Sequence, residues 1–351
     1  MNESGTKSEA KTIVLVSPAT AEANNGNWHT AHRWEQFLSG YCDIEVVQKW
    51  PSASAETATR QPAPAALIAL HARRSAASIQ AWAKVHPHKP LIVVLTGTDL
   101  YRDIHTDAAA QRSLQLASTL VVLQAAGVGA LPAAYREKTR VIYQSAPALR
   151  PAVKSTTRFT AVMVGHLRDE KDPMTFLRAA AMTFDGSVRF KLIGAALDEA
   201  LGAAALQCQI DTPRFHWLGA LPRAQTRQHI KRAHVLVSCS RMEGGAHVIL
   251  EAVQSGTAVL ASRISGNIGM LGDDYAGYFD LGDAEELAAL VRRCAADAPF
   301  LQRLADQCAR RAGLFEPGQE KRLVLNLAMS ALDDAPNRLP SPVSPCPPPT
   351  A

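Results

Sequence analysis

Short apolar runs alternate with helix-like segments along most of the chain, and this alternation restricts the fold more than any other feature. The apolar runs of the first half occupy residues 12–17, 44–48, 66–71, 91–95, 120–123 and 140–143. The helix-like segments between them are residues 27–39, 75–85 and 108–117. Uninterrupted apolar strands that are joined by helices are typical of a parallel sheet with both faces covered.

The same alternation starts again in the second half. Its apolar runs are residues 160–164, 190–193, 235–238 and 258–261, and its first helices are residues 173–182, 198–208 and 247–255. The sequence therefore predicts an α/β protein with two Rossmann-like, doubly wound parallel-sheet domains. Open α/β sheets bind ligands at the carboxyl ends of their strands, so we expect the site in a central cleft that the two domains face.

Domain boundaries follow from proline content and periodicity. We expect a flexible N-terminus at residues 1–11, an N-terminal Rossmann-like domain at 12–146 and a linker at 147–157. A C-terminal Rossmann-like domain is predicted at 158–316, followed by a helix at 317–333. The proline-rich residues 334–351 are predicted to be a disordered tail.

Charge and composition narrow the class of ligand. The chain has 351 residues and a formal net charge of +5, with its basic residues scattered. This fits a small anionic substrate better than a nucleic acid. No apolar run is long enough to span a membrane, and the polar start predicts a cytoplasmic protein. The six cysteines form no C-x-x-C pair, so reduced thiols are expected. Neither a metal site nor a cofactor is predicted.

The most distinctive motif is SRMEGGAHVILEAVQSGTAVLAS, which contains Glu243 and Glu251 seven residues apart. A glycine turn and a short apolar helix separate the two carboxylates, and Gly256 is the predicted helix stop. A helix N-terminus suits a phosphate, and two carboxylates suit the hydroxyls of a sugar. The motif therefore favours a nucleotide-sugar site. The alternative is a solvated glutamate at each end of an ordinary helix.

A second candidate element, GHLRDEKDP, begins at Gly165 directly after a predicted strand. Arg168 can form a forked contact with a diphosphate, and Lys171 can act on it as a point charge. The alternative is a surface loop in which the acidic neighbours neutralise both cations.

Three loops of the first domain are candidates for an acceptor site. Asn25, Gly26 and Asn27 precede a helix and can present backbone N–H groups to an anion or a hydroxyl. This loop lacks the glycine spacing of a dinucleotide fingerprint, so NAD is not predicted. The other two loops contain Arg73 and Arg74, and Thr96 and Asp99. Solvation of the arginines and helix capping by the Thr96–Asp99 loop remain alternatives.

These motifs resemble glycosyltransferase family 4, a family of retaining transferases with the GT-B architecture, from about residue 12 to 332. The resemblance implies that Glu243 contacts the hydroxyls of the donor sugar and that Glu251 contacts the ribose. It also implies that Arg168 and Lys171 clamp the diphosphate. By the same resemblance, residues 12–146 form the acceptor domain, residues 158–316 form the nucleotide-sugar donor domain, and the helix at 317–333 returns to the N-terminal domain. The remaining donor-site residues implied are Gly165, His166, Gly244, Gly245, Ala246 and His247, with the backbone of residues 244–246 at the diphosphate.

The chain departs from the family at two positions. Where family members often have the histidine of an HGTD sequence, this chain has Thr96. Where an arginine often follows the strand glycine, it has His166, with Arg168 two places later. The first departure affects the residue that usually touches the donor sugar.

Five segments resemble a bacterial subgroup of family 4, the selenosugar synthases of selenoneine biosynthesis: NNGNWHTAHRW, VLTGTDLYRDI, VIYQSA, VGHLRDEKDP and SRISGNIGMLG. This resemblance implies a UDP-sugar donor, typically UDP-N-acetylglucosamine, and selenophosphate as the acceptor. The acceptor site would include Asn25, Gly26, Asn27, His29, Arg73, Arg74, Thr96 and Asp99. Two alternatives remain open: a family 4 transferase for a thiol, lipid or glycan acceptor, and a UDP-sugar epimerase or non-catalytic binder.

Overall fold

The computed structural model describes residues 11–19, 26–51 and 63–333, and its strands form two six-stranded parallel sheets. The strands of the first sheet are β1 (Thr12–Val16), β2 (Asp43–Val47), β3 (Ala66–Leu70), β4 (Leu91–Leu95), β5 (Thr119–Val122) and β6 (Thr139–Val141). Their order is β2-β1-β3-β4-β5-β6.

The strands of the second sheet are β7 (Phe159–Val164), β8 (Val188–Ile193), β9 (Phe215–Trp217), β10 (Val235–Ser238), β11 (Ala258–Ser262) and β12 (Tyr278–Phe279). Their order is β12-β11-β10-β7-β8-β9. The predicted class of two parallel-sheet α/β domains is thus confirmed. Sequence patterns missed β9 and β12, which have 3 and 2 residues and are too short to show a strand pattern.

Thirteen α-helices are described. They are α1 (Gly26–Leu38), α2 (Ala76–Val85), α3 (Ile104–Thr106), α4 (Ala108–Leu116), α5 (Ala133–Arg136), α6 (Pro173–Ala181), α7 (Glu199–Asp211), α8 (Arg223–Arg232), α9 (His247–Val253), α10 (Ser265–Leu271), α11 (Ala284–Ala296), α12 (Ala298–Arg311) and α13 (Pro317–Asp333). A π-helical turn spans Asp99–Asp103, and 3₁₀ turns span Ala125–Val128, Asp169–Lys171 and Ala312–Phe315.

Burial and capping explain why these elements form. Every residue of β3, β4, β10 and β11 is buried, as expected for strands with both faces covered. Three helices begin at an aspartate whose side chain accepts a hydrogen bond from the first helical turn. These caps are Asp198 for α7, Asp283 for α11 and Asp297 for α12.

The chain divides into two compact units. The first contains the described residues up to Val94, the segment Ala108–Leu120 and the described residues from Val324 onward. The second contains Leu95–Asp107 and Val121–Leu323. The loop that follows β4 therefore belongs to the second unit, together with all donor-site candidates. The domain boundaries predicted from the sequence remain predictions.

The described residues contain neither a candidate membrane-spanning helix nor a candidate metal-ion site. None of the helices in the described ranges is both long and apolar enough to cross a membrane. Within the same ranges, no group of three or more His, Cys, Asp or Glu side chains is arranged to hold a metal ion.

Candidate active site

The two predicted donor elements leave neighbouring strands at the same edge of the second sheet. β10 pairs in parallel with β7, with Val237 opposite Met163. The loop of residues 165–172 follows β7, and the loop of residues 239–246 follows β10. Because the strands are parallel and adjacent, both loops start at the carboxyl edge, where open α/β sheets place ligands.

Lys171 and Glu243 join these two loops directly. Nζ of Lys171 lies 2.5 Å from Oε1 of Glu243. The same oxygen accepts a hydrogen bond of 2.6 Å from the Ser240 hydroxyl. Both charged side chains are largely buried, with 17% and 12% of their surfaces exposed. A carboxylate that accepts from a cationic and a neutral donor is fixed in direction.

The rest of the loop after β7 is held by a backbone hydrogen bond and by a buried carboxylate. The N–H of Gly165 donates to the carbonyl of Ile193 at 2.9 Å. Asp172 is buried, has a left-handed backbone with φ of 46° and accepts hydrogen bonds from Thr175 and Arg241. These contacts support the short turn that presents Lys171.

His166 lies in the same loop, and its own side chain is uncharged. Its Nδ1 accepts a hydrogen bond of 3.1 Å from the N–H of Ala195. Burial, followed by the charges of Arg168 and Lys171, lowers the pKa of His166 below its ordinary value of 6.5. The imidazole is therefore uncharged at pH 7, with its proton on Nε2.

Arg168 is the most accessible of the predicted donor-site cations. Its side chain is 44% exposed, and its Nε lies 3.9 Å from a carboxylate oxygen of Glu170. The other oxygen of Glu170 faces Arg102 at 3.5 Å. The acidic neighbour thus contacts Arg168 only loosely, which leaves the guanidinium able to bind an anion.

The glycine turn after Glu243 packs against the loop that follows β4. A Cβ atom at Gly244 would lie 2.7 Å from the backbone nitrogen of Gly97 and closer still to Thr96, so only glycine fits. Within the described residues, the backbone N–H groups of residues 244–246 donate to no protein acceptor. Three adjacent unpaired N–H groups can bind an anion.

Gly266, in α10, packs against the other side of Glu243. A Cβ atom at this position would collide with the carbonyl oxygen of Glu243. The sequence did not indicate this contact, because α10 contains two glycines and was not predicted as a helix.

Thr96 and Asp99 form a local hydrogen-bonded turn. Oδ1 of Asp99 accepts from the backbone N–H and from the hydroxyl of Thr96, each at 2.8 Å. Asp99 is completely buried. The contacts favour the structural alternative for Asp99, whereas Thr96 lies beside the turn at Gly244.

Glu251 lies in α9, and the structure adds two arginines that sequence patterns did not single out. Nε of Arg223 donates to Oε1 of Glu251 at 3.1 Å, and Nε of Arg227 lies 3.9 Å from it. Nε2 of His247 lies 3.4 Å from the same oxygen. Burial raises the pKa of Glu251, but the His247 and Arg223 side chains outweigh it, and the pKa falls below its ordinary value.

The other acceptor candidates belong to the first compact unit. Gly26 begins α1, where its carbonyl accepts a hydrogen bond from Thr30. Asn27 and His29 are half-buried in that helix. Arg73 and Arg74 are exposed after β3. Asn25 lies outside the described residues.

The comparison with protein families gives a match for the part of the chain that carries both donor elements. The family model described as glycosyl transferases group 1 matches residues 147–311. This segment is therefore similar to group 1 glycosyltransferases. The matched segment contains every residue that was predicted to bind the donor.

Solved structures extend the similarity to most of the chain. HepE from Anabaena, crystallised with UDP and glucose, has a TM-score of 0.69 at 17% identity, covering 92% of this chain and 100% of HepE. Sucrose-phosphate synthase from Thermosynechococcus elongatus has a TM-score of 0.74 at 15% identity, covering 92% of this chain and 99% of that enzyme. These similarities establish the GT-B fold for most of the chain. No curated protein matches the sequence.

Proposed function

We propose that the protein is a family 4 glycosyltransferase that transfers a sugar, N-acetylglucosamine, from UDP to selenophosphate. The direct contact between Lys171 and Glu243 carries this proposal, because it joins the two donor motifs at 2.5 Å. The match of residues 147–311 to the group 1 glycosyltransferase model supports sugar transfer, and HepE, a structural neighbour, was crystallised with UDP and with UDP-glucose.

The donor would be held along this edge of the second sheet. Glu251 accepts hydrogen bonds from the ribose, and the N–H groups of residues 244–246 donate to the diphosphate. Glu243 accepts hydrogen bonds from the hydroxyls of the sugar. The hydrogen bonds from Ser240 and Lys171 both go to Oε1, so Oε2 is the oxygen that would accept from the sugar.

Transfer requires that charge on the departing diphosphate be stabilised. Arg168 and Lys171 supply two positive charges after β7, and the backbone N–H groups after Glu243 supply dipoles. Such groups act most strongly on charge that develops as the bond breaks. The bond from the anomeric carbon to the diphosphate oxygen breaks, and UDP leaves with its electron pair.

Selenophosphate fits the acceptor side because selenium is a soft nucleophile that needs little help from a base. A lone pair on selenium forms the new bond to the anomeric carbon, and the phosphate group is lost later by hydrolysis. Thr96, in place of the histidine common in the family, agrees with such an acceptor. Its anion would bind at the start of α1 and at Arg73 or Arg74.

The test combines purified protein, UDP-N-acetylglucosamine and selenophosphate, with mass spectrometry of the products. We expect UDP and a sugar that carries selenium on its anomeric carbon, with thiophosphate as a slower substrate. Transfer to a hydroxyl acceptor without any selenium- or sulfur-containing sugar would contradict the acceptor assignment. Conversion of the donor without any acceptor would instead indicate an epimerase.

A further inference from the structure

Arg223 is the central member of a cluster around Glu251. Its Nε donates to Oε1 of Glu251 at 3.1 Å, and its Nη2 lies 3.1 Å from Nε2 of His247. Nε2 of His247 is 3.4 Å from the same carboxylate oxygen. The guanidinium, the imidazole and the carboxylate therefore form a closed triangle, in which Arg223 contacts both other members.

All of these contacts use one oxygen of the carboxylate. The contacts of Arg223, His247 and Arg227 with Glu251 are all made to Oε1. A carboxylate on a helix still rotates about its last side-chain bond. A guanidinium that holds one oxygen stops this rotation and fixes the direction of the other.

Arg223 is suited to this role by its place in the chain. It is the first residue of α8, directly after Pro222, so its backbone is fixed by the helix start. Its side chain is 41% exposed, whereas that of Glu251 is 5% exposed. Loss of the Arg223 side chain would therefore leave the core packed while releasing the carboxylate.

We propose that Arg223 is a positioning residue for ribose recognition: it holds Oε1 of Glu251 so that Oε2 faces the ribose hydroxyls of the nucleotide. This inference rests on the proposed function, in which Glu251 contacts the ribose. Arg223 acts through Glu251 and makes no contact with the reacting atoms. Arg223 is thus a specificity determinant for the ribose, although it lies 28 positions away from Glu251 in the sequence.

The test measures binding of UDP and of 2′,3′-dideoxyuridine diphosphate by calorimetry. The affinity of the wild type for UDP is expected to exceed its affinity for the dideoxy ligand by about 10-fold or more. This factor corresponds to the loss of one hydrogen bond to a charged group. Arg223→Ala should lose most of this preference while its affinity for the dideoxy ligand stays unchanged. Arg223→Lys should recover part of it, because an ammonium can still donate to Oε1. Arg232→Ala, at an exposed arginine of the same helix, is the matched control.

The outcomes separate the inference from the proposed function. If Arg223→Ala lowers the affinity for both ligands by the same factor, Arg223 acts on another part of the nucleotide and the inference is wrong. If it keeps the wild-type preference, Glu251 needs no positioning and the inference is also wrong. A wild type that binds both ligands equally would overturn the ribose assignment itself, and a wild type that binds neither would overturn the proposed function.

Discussion

Glu243 and Glu251 are both buried carboxylates held through one oxygen, but their partners differ. Oε1 of Glu243 has Ser240 and Lys171 as donors, and Oε1 of Glu251 has Arg223. The partner of Glu243 lies in the predicted diphosphate loop. The partner of Glu251 lies at the start of α8, away from that loop in sequence. We therefore expect the two glutamates to affect different parts of the donor.

Replacement of Glu251 by alanine should weaken UDP binding. The ribose hydroxyls lose a charged acceptor, which corresponds to about 1.5–3 kcal/mol, or about 10- to 150-fold in affinity. Glu243→Ala should leave UDP affinity nearly unchanged and reduce turnover of the complete sugar nucleotide, because UDP has no sugar for it to contact. Calorimetry with UDP on both variants measures this difference. Equal UDP affinity in wild type and Glu251→Ala would contradict the ribose assignment.

Replacement of Lys171 by alanine should reduce turnover. Its ammonium stabilises charge that grows on the leaving diphosphate, and loss of a single donor of this kind reduces kcat by about 100-fold or more. Arg168→Ala should act in the same direction. Steady-state kinetics with the full donor measures both effects, and Lys84→Ala, at an exposed lysine of α2, serves as the control. Wild-type turnover in Lys171→Ala would exclude the clamp role.

At the scale of elements, two loops approach each other without room for a side chain between them. The glycine turn before α9 meets the loop after β4, and Gly244 lies against the backbone of Thr96 and Gly97. The turn at Thr96 is itself held by two hydrogen bonds to Asp99. The loop after β4 thus supports the donor site through its backbone.

Gly244→Ala should destabilise this contact. The added Cβ would lie 2.7 Å from the nitrogen of Gly97, so one loop must shift. Overpacking of this kind typically costs about 1–3 kcal/mol. Thermal unfolding should show a lower Tm, together with lower turnover. Gly186→Ala is the matched control, since a Cβ atom there meets no atom within 4 Å. A Gly244→Ala variant with wild-type Tm and turnover would show that the two loops do not pack this closely.

At the scale of the whole molecule, the second compact unit brings every predicted donor residue together with Thr96 and Asp99. In the proposed function, the cations and backbone N–H groups of this unit balance the charge of the diphosphate. We therefore expect transfer to need no divalent cation.

This expectation is tested by chelation. EDTA should leave the initial rate of UDP release unchanged, because side chains and backbone stabilise the leaving group. The control is the same reaction with added magnesium or manganese chloride, which should not increase the rate. Inhibition by EDTA that either metal reverses would assign this role to a metal ion.

Local features were predictable because they depend on neighbours along the chain. Strand β4 was predicted with its observed bounds, since LIVVL is uninterrupted, apolar and bounded by a proline and a polar loop. Helix α9 was predicted to begin at His247, which comes after two glycines and before an apolar run. Helix α8 was missed, because only Thr226 and Ile230 of its ten residues are buried and no apolar period appears.

Sequence patterns alone indicated the longer strands of both sheets, most of the helices that join them and the identity of the motif residues. Which side chains meet depends on the tertiary structure. Lys171 and Glu243 are 72 positions apart, and they touch because β10 lies beside β7 although β8 and β9 come between them in sequence. Arg223 reaches Glu251 because α8 packs against α9. Periodicity reports which face of an element is buried, whereas the order of strands in a sheet depends on the packing of the whole chain.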